Sequence, residues 1–197
     1  MIFSLHIAIS SSYKGDWLEH ICPSQCPTEI VTSLSLGVSI PDDSDVGVSD
    51  TIPVTLEAGC NCTVANVAFA FGIDHESVGD LGMLLVAPDN TEVLLLLVAE
   101  PLSDANLVAD NKITFDDSTL AKDPLTLGDT DPIPAGTYFA QGNFLNEIGA
   151  DYPNPFGLGF FNGFDAAGNW TFSVSDFVQN GDTGTLESVE LTITCAE

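Results

Sequence analysis

Apolar and polar residues alternate one by one through much of this chain, and this pattern constrains the fold more than any other feature of the sequence. Over residues 34–40, leucine, valine and isoleucine occupy the even positions, and serine and glycine occupy the odd ones. The same period of two recurs at 52–56, 67–73 and 189–193, while helical spacing is almost absent. Successive side chains of a β-strand point to opposite faces, so this period predicts half-buried strands. The chain is therefore expected to be all-β.

Two apolar runs on either side of a turn sequence predict a β-hairpin. The runs 83–87 and 92–99 flank Pro88-Asp89-Asn90-Thr91, and residues of these types favour tight turns. Pro53 lies inside the run 52–56 and has no backbone N–H to donate. The strand that contains it should therefore lie at the edge of a sheet or begin near this residue.

Long loops rich in Asp, Gly, Pro and Asn connect the predicted strands, chiefly at 101–135 and 142–169. Many short strands with long polar connections are typical of two packed antiparallel sheets. We therefore predict an antiparallel β-sandwich with jelly-roll topology. Trp170, which is flanked by Gly168 and Phe172, is expected to anchor its core, and His75 is expected to be a hydrogen-bonded structural residue.

A change in composition separates the start of the chain from the rest. The alternation over residues 3–10 predicts one additional strand, which needs a sheet because an isolated strand is unstable. This strand could join its own domain, or it could add to the sheet edge of a neighbouring subunit. A degraded export signal is the other interpretation, although a basic n-region is missing. We predict an N-terminal strand extension over 1–32 and a β-sandwich domain over 33–197.

The charge balance excludes several classes of partner. The chain has 3 Lys plus Arg against 29 Asp plus Glu, which gives a net charge of −26. Nucleic acid is not expected as a partner, because phosphate contacts need clustered basic residues. Binding to an anionic membrane surface is disfavoured for the same reason. No membrane span is predicted either, because the longest apolar run covers only residues 93–99 and a spanning helix needs about 20 residues.

The cysteines indicate an exported protein. There are five of them, and no Cys-x-x-Cys motif is present, so disulfide bonds are a better explanation than a redox or zinc site. The cysteines are Cys22, Cys26, Cys60, Cys62 and Cys195. Their connectivity stays open, and the odd one must be unpaired or bonded to another chain. A zinc site at His20, Cys22 and Cys26 is an alternative that lacks a fourth ligand with suitable spacing. We predict an extracellular protein.

Calcium is the sharpest chemical hypothesis, because Ca²⁺ takes six to eight oxygen ligands that usually lie on loops. Aspartates cluster in several predicted loops, without the spacing of an EF-hand. Aspartate is also common in turns for purely conformational reasons, which is the alternative explanation for any single cluster. The predicted Ca²⁺ ligands are Asp80, Asp116, Asp117, Asp176 and Asp182.

No sequence signal indicates an enzyme. Asp182-Thr183-Gly184 matches the aspartic protease triplet, but those enzymes need two such aspartates and a second Asp-Thr-Gly is missing. A Ser-His-Asp triad is also poorly supported. Two of the three histidines lie in the extension, and no Gly-x-Ser-x-Gly elbow occurs.

From Ile40 onward, the order of short motifs resembles the P domain that follows the catalytic domain of kexin- and furin-like proprotein convertases. The motifs are Ile40-Pro41-Asp42, Ile73-Asp74-His75, Val78-Gly79-Asp80-Leu81, Pro88-Asp89-Asn90-Thr91, Thr114-Phe115-Asp116-Asp117, Phe161-Asn162-Gly163, Gly168-Asn169-Trp170-Thr171 and Gly181-Asp182-Thr183-Gly184-Thr185-Leu186. The resemblance implies a galactose-binding-domain-like β-sandwich without catalytic residues of its own, often stabilised by calcium.

Three functions follow as hypotheses. The first is a calcium-stabilised extracellular structural protein that assembles into a homo-oligomer, a polymer or a filament through its N-terminal strand or its sheet edges. The alternative is an accessory domain that stabilises or targets a secreted subtilisin-like serine protease, as the resemblance implies. A carbohydrate- or surface-binding module is the third, and it rests on fold analogy alone.

Overall fold

A computed structural model of the protein describes residues 26–97, 104–117, 121, 130–140 and 157–196. Within these residues the regular structure consists of β-strands and two short 3-10 helices, so the all-β prediction is confirmed. The 3-10 helices are Val78–Asp80 and Leu158–Phe161. The strands are β1 (Glu29–Ile40), β2 (Val48–Val54), β3 (Val64–His75), β4 (Leu81–Val86), β5 (Glu92–Leu96), β6 (Ile113–Asp116), β7 (Gly136–Tyr138), β8 (Gly168–Asp176) and β9 (Gly184–Cys195).

The strands form two sheets, which confirms the predicted β-sandwich. One sheet has five strands in the order β1-β9-β3-β6-β7, and the other has four in the order β2-β8-β4-β5. Every neighbouring pair is antiparallel except β6 and β7, which are parallel. Among the described strands, this pair is the exception to the predicted antiparallel arrangement. A long connection joins β6 to β7, and parallel neighbours need such a crossover. The jelly-roll topology stays a prediction.

The strands predicted from alternation are present and bury the expected side chains. In β9, Val189, Leu191 and Ile193 are buried. β2 contains Pro53 and lies at a sheet edge, as its missing N–H requires. β4 and β5 form the predicted hairpin. Its turn is closed by a hydrogen bond of 2.8 Å from the amide of Ala87 to the carbonyl of Thr91.

Aromatic side chains from both sheets fill the core. The rings of Phe69 on β3 and Phe172 on β8 lie 4.7 Å apart between their centroids. Trp170 is fully buried, as predicted, and contacts the ring of Phe161 edge-to-face at 4.9 Å. Its indole N–H donates to the carbonyl of Ala166 at 2.9 Å. Burying this ring costs little because its one polar atom keeps a partner.

Two disulfide bonds tie the strand termini together: Cys26–Cys60 and Cys62–Cys195. The zinc alternative is wrong for Cys26, because a disulfide sulfur cannot serve as a thiolate ligand. Disulfides persist in oxidising compartments, which fits an exported protein. No helix in the described part of the chain combines the length and the apolar character needed to cross a bilayer.

The predicted extension falls mostly outside the described residues. The strand expected over 3–10 lies there, as do His20 and Cys22. β1 begins at Glu29, and the boundary at residue 33 stays a prediction.

Candidate functional site

The predicted calcium ligands fall into two groups that the fold keeps apart. β3 ends at His75, and Asp80, Asp176 and Asp182 lie at the same end of the sandwich. β6 runs antiparallel to β3 and brings Asp116 opposite Ala68, toward the beginning of β3. The fold therefore separates Asp116 and Asp117 from the other three aspartates, and a single site cannot contain all five. The assignment of these aspartates as Ca²⁺ ligands stays a prediction.

Asp176 is a buried partner of His75. Asp176 is completely buried, and its Oδ2 lies 3.2 Å from Nε2 of His75. Its Oδ1 accepts the amide of Val178 at 3.0 Å. Nδ1 of His75 lies 2.8 Å from the carbonyl oxygen of Ser77. The predicted structural role of His75 is confirmed, because its ring joins the end of β3 to the end of β8 in the opposite sheet.

Close packing surrounds this histidine. A Cβ placed on Gly184 would lie only 2.4 Å from Cδ2 of His75 and 2.6 Å from the backbone oxygen of Asp74. Any larger residue at position 184 would push against the ring or against the backbone of β3. Glycine at the start of β9 thus permits the ring to remain buried against Asp176.

Asn180 joins the remaining carboxylates of this end. Its Nδ2 donates to Oδ2 of Asp80 at 2.9 Å and to Oδ2 of Asp182 at 3.0 Å. Its Oδ1 accepts the amide of Asp182 at 2.9 Å, and its own amide donates to Oδ1 of Asp42 at 3.3 Å. We call Asp42, Asp80, Asn180 and Asp182 the acidic end cluster. A neutral amide separates two carboxylates that would otherwise repel each other.

The acidic end cluster has the right donor type for Ca²⁺ but not the right arrangement. The carboxylates of Asp80 and Asp182 face the side-chain N–H group of Asn180, which cannot bind a cation. For Ca²⁺ to bind here, the Asn180 side chain would have to turn its oxygen toward them. Across the residues that the structure describes, no three His, Cys, Asp or Glu residues form a group able to hold a metal ion. The calcium site stays a prediction.

Asp117 has a different environment, at the start of the second 3-10 helix. Its Oδ2 accepts the amide of Gly159 at 2.7 Å, and its Oδ1 is buried without a hydrogen-bond partner. Burial raises the pKa of this carboxyl above its ordinary value, and the neighbouring charge of Asp116 raises it further. Asp117 therefore acts as a cap for the 158–161 turn, at an electrostatic cost.

An open groove of about 480 Å³ lies beside His75. Its lining includes the acidic residues Asp74 and Glu76 together with Thr183 and Thr185. His75 contributes to the wall, but both ring nitrogens already lie within hydrogen-bond distance of Ser77 and Asp176. The geometry offers no free imidazole to activate a nucleophile in this groove.

Two residues of the acidic end cluster escaped the sequence-based prediction. Asp42 was predicted only as part of the motif Ile40-Pro41-Asp42, and Asn180 carried no prediction. The position of Asn180, directly before Gly181 and between two predicted ligands, was the available signal. An Asn-Gly pair is typical of a tight turn that points a side-chain amide back at neighbouring groups.

Comparison with solved structures shows the same fold in part of a serine protease. The chain superposes on the crystal structure of the Aeromonas sobria serine protease in complex with its chaperone, with a TM-score of 0.52 and 17% identity. The match covers 87% of this chain and 28% of the matched chain. The structure of the Aeromonas sobria serine protease without the chaperone gives a TM-score of 0.50 at 17% identity, over 86% of this chain and 28% of that one.

No protein-family model matches the chain, and no curated protein sequence is significantly similar to it. At this level of identity, the structural comparisons establish a common fold. The chain spans less than a third of the length of the proteins it matches. The β-sandwich thus recurs as one part of a larger serine protease.

Proposed function

We propose that the chain is a non-catalytic, extracellular β-sandwich module that supports a secreted serine protease of the subtilisin type. One observation carries the proposal: a domain of this fold occupies 28% of the Aeromonas sobria serine protease chain. The order of motifs that resembles the convertase P domain supports the same conclusion. The findings favour this accessory role over a purely structural role.

The environment of His75 supports a non-catalytic domain. His75 is 3% exposed and bonded to Asp176, and the other two histidines of the chain lie before residue 26. The groove beside His75 is lined by acidic and hydroxyl side chains, and both nitrogens of its imidazole already have partners. Proteolysis would therefore belong to the partner.

The charge of the module supports an electrostatic contribution to binding. A net charge of −26 creates a field that attracts a basic surface and repels other acidic proteins. The attraction to a protease should therefore weaken with ionic strength. Ca²⁺ belongs to the proposal as a stabilising ion at the acidic end cluster, supported by the carboxylates of Asp42, Asp80 and Asp182 that meet there.

The test uses an antibody against the β-sandwich and an active-site probe for serine hydrolases. Native extracellular material is precipitated with the antibody and labelled with a fluorophosphonate. We expect a labelled serine hydrolase in the precipitate, either as a separate band or as a band that contains the β-sandwich itself. Purified chain added to that protease should lengthen its half-life at elevated temperature.

Serum albumin at equal concentration is the control for non-specific protection. A precipitate that contains the folded chain and no labelled hydrolase would contradict the proposal. So would a half-life that the chain changes no more than albumin does.

Self-association is a second candidate function, because one specific observation favours it: the long edge of β1 is uncovered in the described residues. A carbohydrate-binding role has no comparable support.

A further inference from the structure

Among the described residues, β1 is an edge strand with one unpaired side. It has 12 residues and pairs with β9 only. The other edges are shorter or blocked, since β2 contains Pro53, β5 has 5 residues and β7 has 3. From Ile30 to Ile40 the strand contains no charged residue and no proline. Proteins commonly place charged residues and prolines on edge strands to prevent the addition of another strand, and this part of β1 has neither.

The hydrogen-bonding groups of this edge point outward in a regular series. The carbonyl of Thr28 accepts the amide of Cys195 at 2.8 Å, which sets the phase of the β1–β9 ladder. In an antiparallel ladder, successive residues direct their backbone groups alternately toward the partner and away from it. Val31, Ser33 and Ser35 therefore direct their N–H and C=O groups to the free edge, before the register shift that follows Ser35.

The inner face of β1 is also incompletely covered. Ile30, Leu34 and Leu36 pack against the core but are only partly buried, as is Val48 on the neighbouring edge strand β2. On the outer face, Val31 is 54% exposed. One more strand beside β1, with apolar residues on its inner side, would extend the core over these side chains.

The chain itself contains a segment with this pattern. Residues 3–10 present four apolar residues at alternate positions, namely Phe3, Leu5, Ile7 and Ile9. The segment is uncharged apart from any charge on His6, and its eight residues are enough for a strand of typical length. Eighteen residues separate it from Glu29.

The cysteine pairing points to a second copy as the donor. The two disulfides use four of the five cysteines of the sequence and leave Cys22 outside both pairs. A second copy of the chain would supply another Cys22, with which an intermolecular disulfide could form.

We propose that the free edge of β1 binds residues 3–10 of a second copy of this chain by strand addition. Main-chain hydrogen bonds to Val31, Ser33 and Ser35 supply affinity, and the apolar side chains cover Ile30, Leu34 and Leu36. This interface is separate from any protease contact. The interaction is of the head-to-tail type, so it can extend to a polymer or close reciprocally as a dimer.

The test separates the donor from the acceptor in the full chain, in a Cys22→Ser background that excludes intermolecular disulfides. Leu5→Asp places a charge on the inner side of the donor, and Ser4→Asp places the same charge on its outer side. Val31→Pro removes an outward N–H from the acceptor, and Val31→Ala keeps it. Sedimentation velocity over a concentration series gives the association state, and circular dichroism verifies folding.

We expect association of the parent chain and of the Ser4→Asp and Val31→Ala variants. Leu5→Asp and Val31→Pro should each associate at least about tenfold more weakly. Mixing these two variants should restore a one-to-one complex, because one supplies an intact acceptor and the other an intact donor.

Several outcomes would overturn the proposal. They are a parent chain that stays monomeric at every concentration, a folded Leu5→Asp or Val31→Pro variant that associates like the parent, and a mixture of these two that forms no complex. A mature native protein whose intact mass lacks residues 1–12 would also overturn it.

Discussion

At the scale of single residues, a buried pair links the two sheets of this molecule. His75 and Asp176 are both essentially inaccessible and lie on strands of opposite sheets. A buried carboxylate without its partner is far more costly than the intact pair is favourable. The pair is therefore a position where a single substitution has a large effect.

We expect His75→Ala to lower the free energy of unfolding by about 3–5 kcal/mol, because the buried Oδ2 of Asp176 loses its partner. Urea denaturation of the full chain measures this loss. Glu76→Ala, which removes an exposed carboxylate next to the pair, should change stability by less than about 0.5 kcal/mol. Adding Asp176→Asn to His75→Ala should recover part of the loss, and equal losses for Glu76→Ala and His75→Ala would contradict the explanation.

Asp117 makes a contribution to stability that depends on pH. Its pKa is raised by burial above the ordinary 3.8, so the folded chain holds this proton more tightly than the unfolded chain does. The contribution to stability is then fully present below pH 3.8 and is lost as the pH rises through the folded-state pKa.

We expect the stability of the parent chain relative to Asp117→Asn to increase as the pH falls from 7 toward 4, because the amide cannot ionise. Chemical denaturation at several pH values gives this difference directly. The matched control is Asp110→Asn, at an exposed position, which should leave the difference constant. If the difference for Asp117→Asn is also constant, folding does not raise the pKa of the Asp117 carboxyl.

At the scale of secondary-structure elements, the β4–β5 hairpin depends on one unusual backbone conformation. Asn90 has a φ of 68°, in the left-handed region. Asparagine tolerates this region because its side chain bonds locally, whereas β-branched residues do not. The Asp89 side chain completes the turn by accepting the amide of Thr91 at 2.9 Å.

We expect Asn90→Val to destabilise the protein by roughly 1–2 kcal/mol, and Asn90→Gly to leave stability nearly unchanged. Thermal and urea denaturation measure both. Glu92→Val introduces the same side chain two residues later, at an exposed position of β5, where a β-branched residue is favourable. Similar losses for Asn90→Val and Glu92→Val would show that the turn conformation is not the cause.

Local sequence patterns predicted some of the strands and missed others. The alternation predicted β1, β2, β3, β9 and the hairpin, because the period of two is a local property of an extended chain. It did not predict the parallel pairing of β6 with β7 or the start of β1 at Glu29. A strand of three residues, such as β7, is too short to show a period, and its neighbour in the sheet is decided by a crossover and not by its own residues.

At the scale of the whole molecule, the net charge of −26 is the main electrostatic feature. Self-repulsion of this size destabilises a compact chain. Screening by salt and specific binding of a divalent cation both relieve the repulsion, but only specific binding depends on particular residues.

We expect Ca²⁺ to raise the melting temperature more than NaCl of equal ionic strength does. At a hundredfold excess over its Kd, a bound ion adds about 2.7 kcal/mol to the free energy of unfolding. Asp182→Asn should reduce this gain, whereas Asp165→Asn, which removes an exposed charge beside the distant start of β3, should not. Equal melting curves in Ca²⁺ and NaCl would remove calcium from the proposed function.

The sequence by itself determined that the chain is built from strands, that Trp170 belongs to the core and that Pro53 belongs to an edge strand or a strand start. Each of these properties depends on a residue and its nearest neighbours. Only the tertiary structure decided which cysteines pair, which aspartates meet and which edge remains open. Asp80 and Asp182 share Asn180 because β8 lies beside β4 and β9 lies beside β3. That order is set by the packing of two whole sheets, which no short stretch of sequence contains.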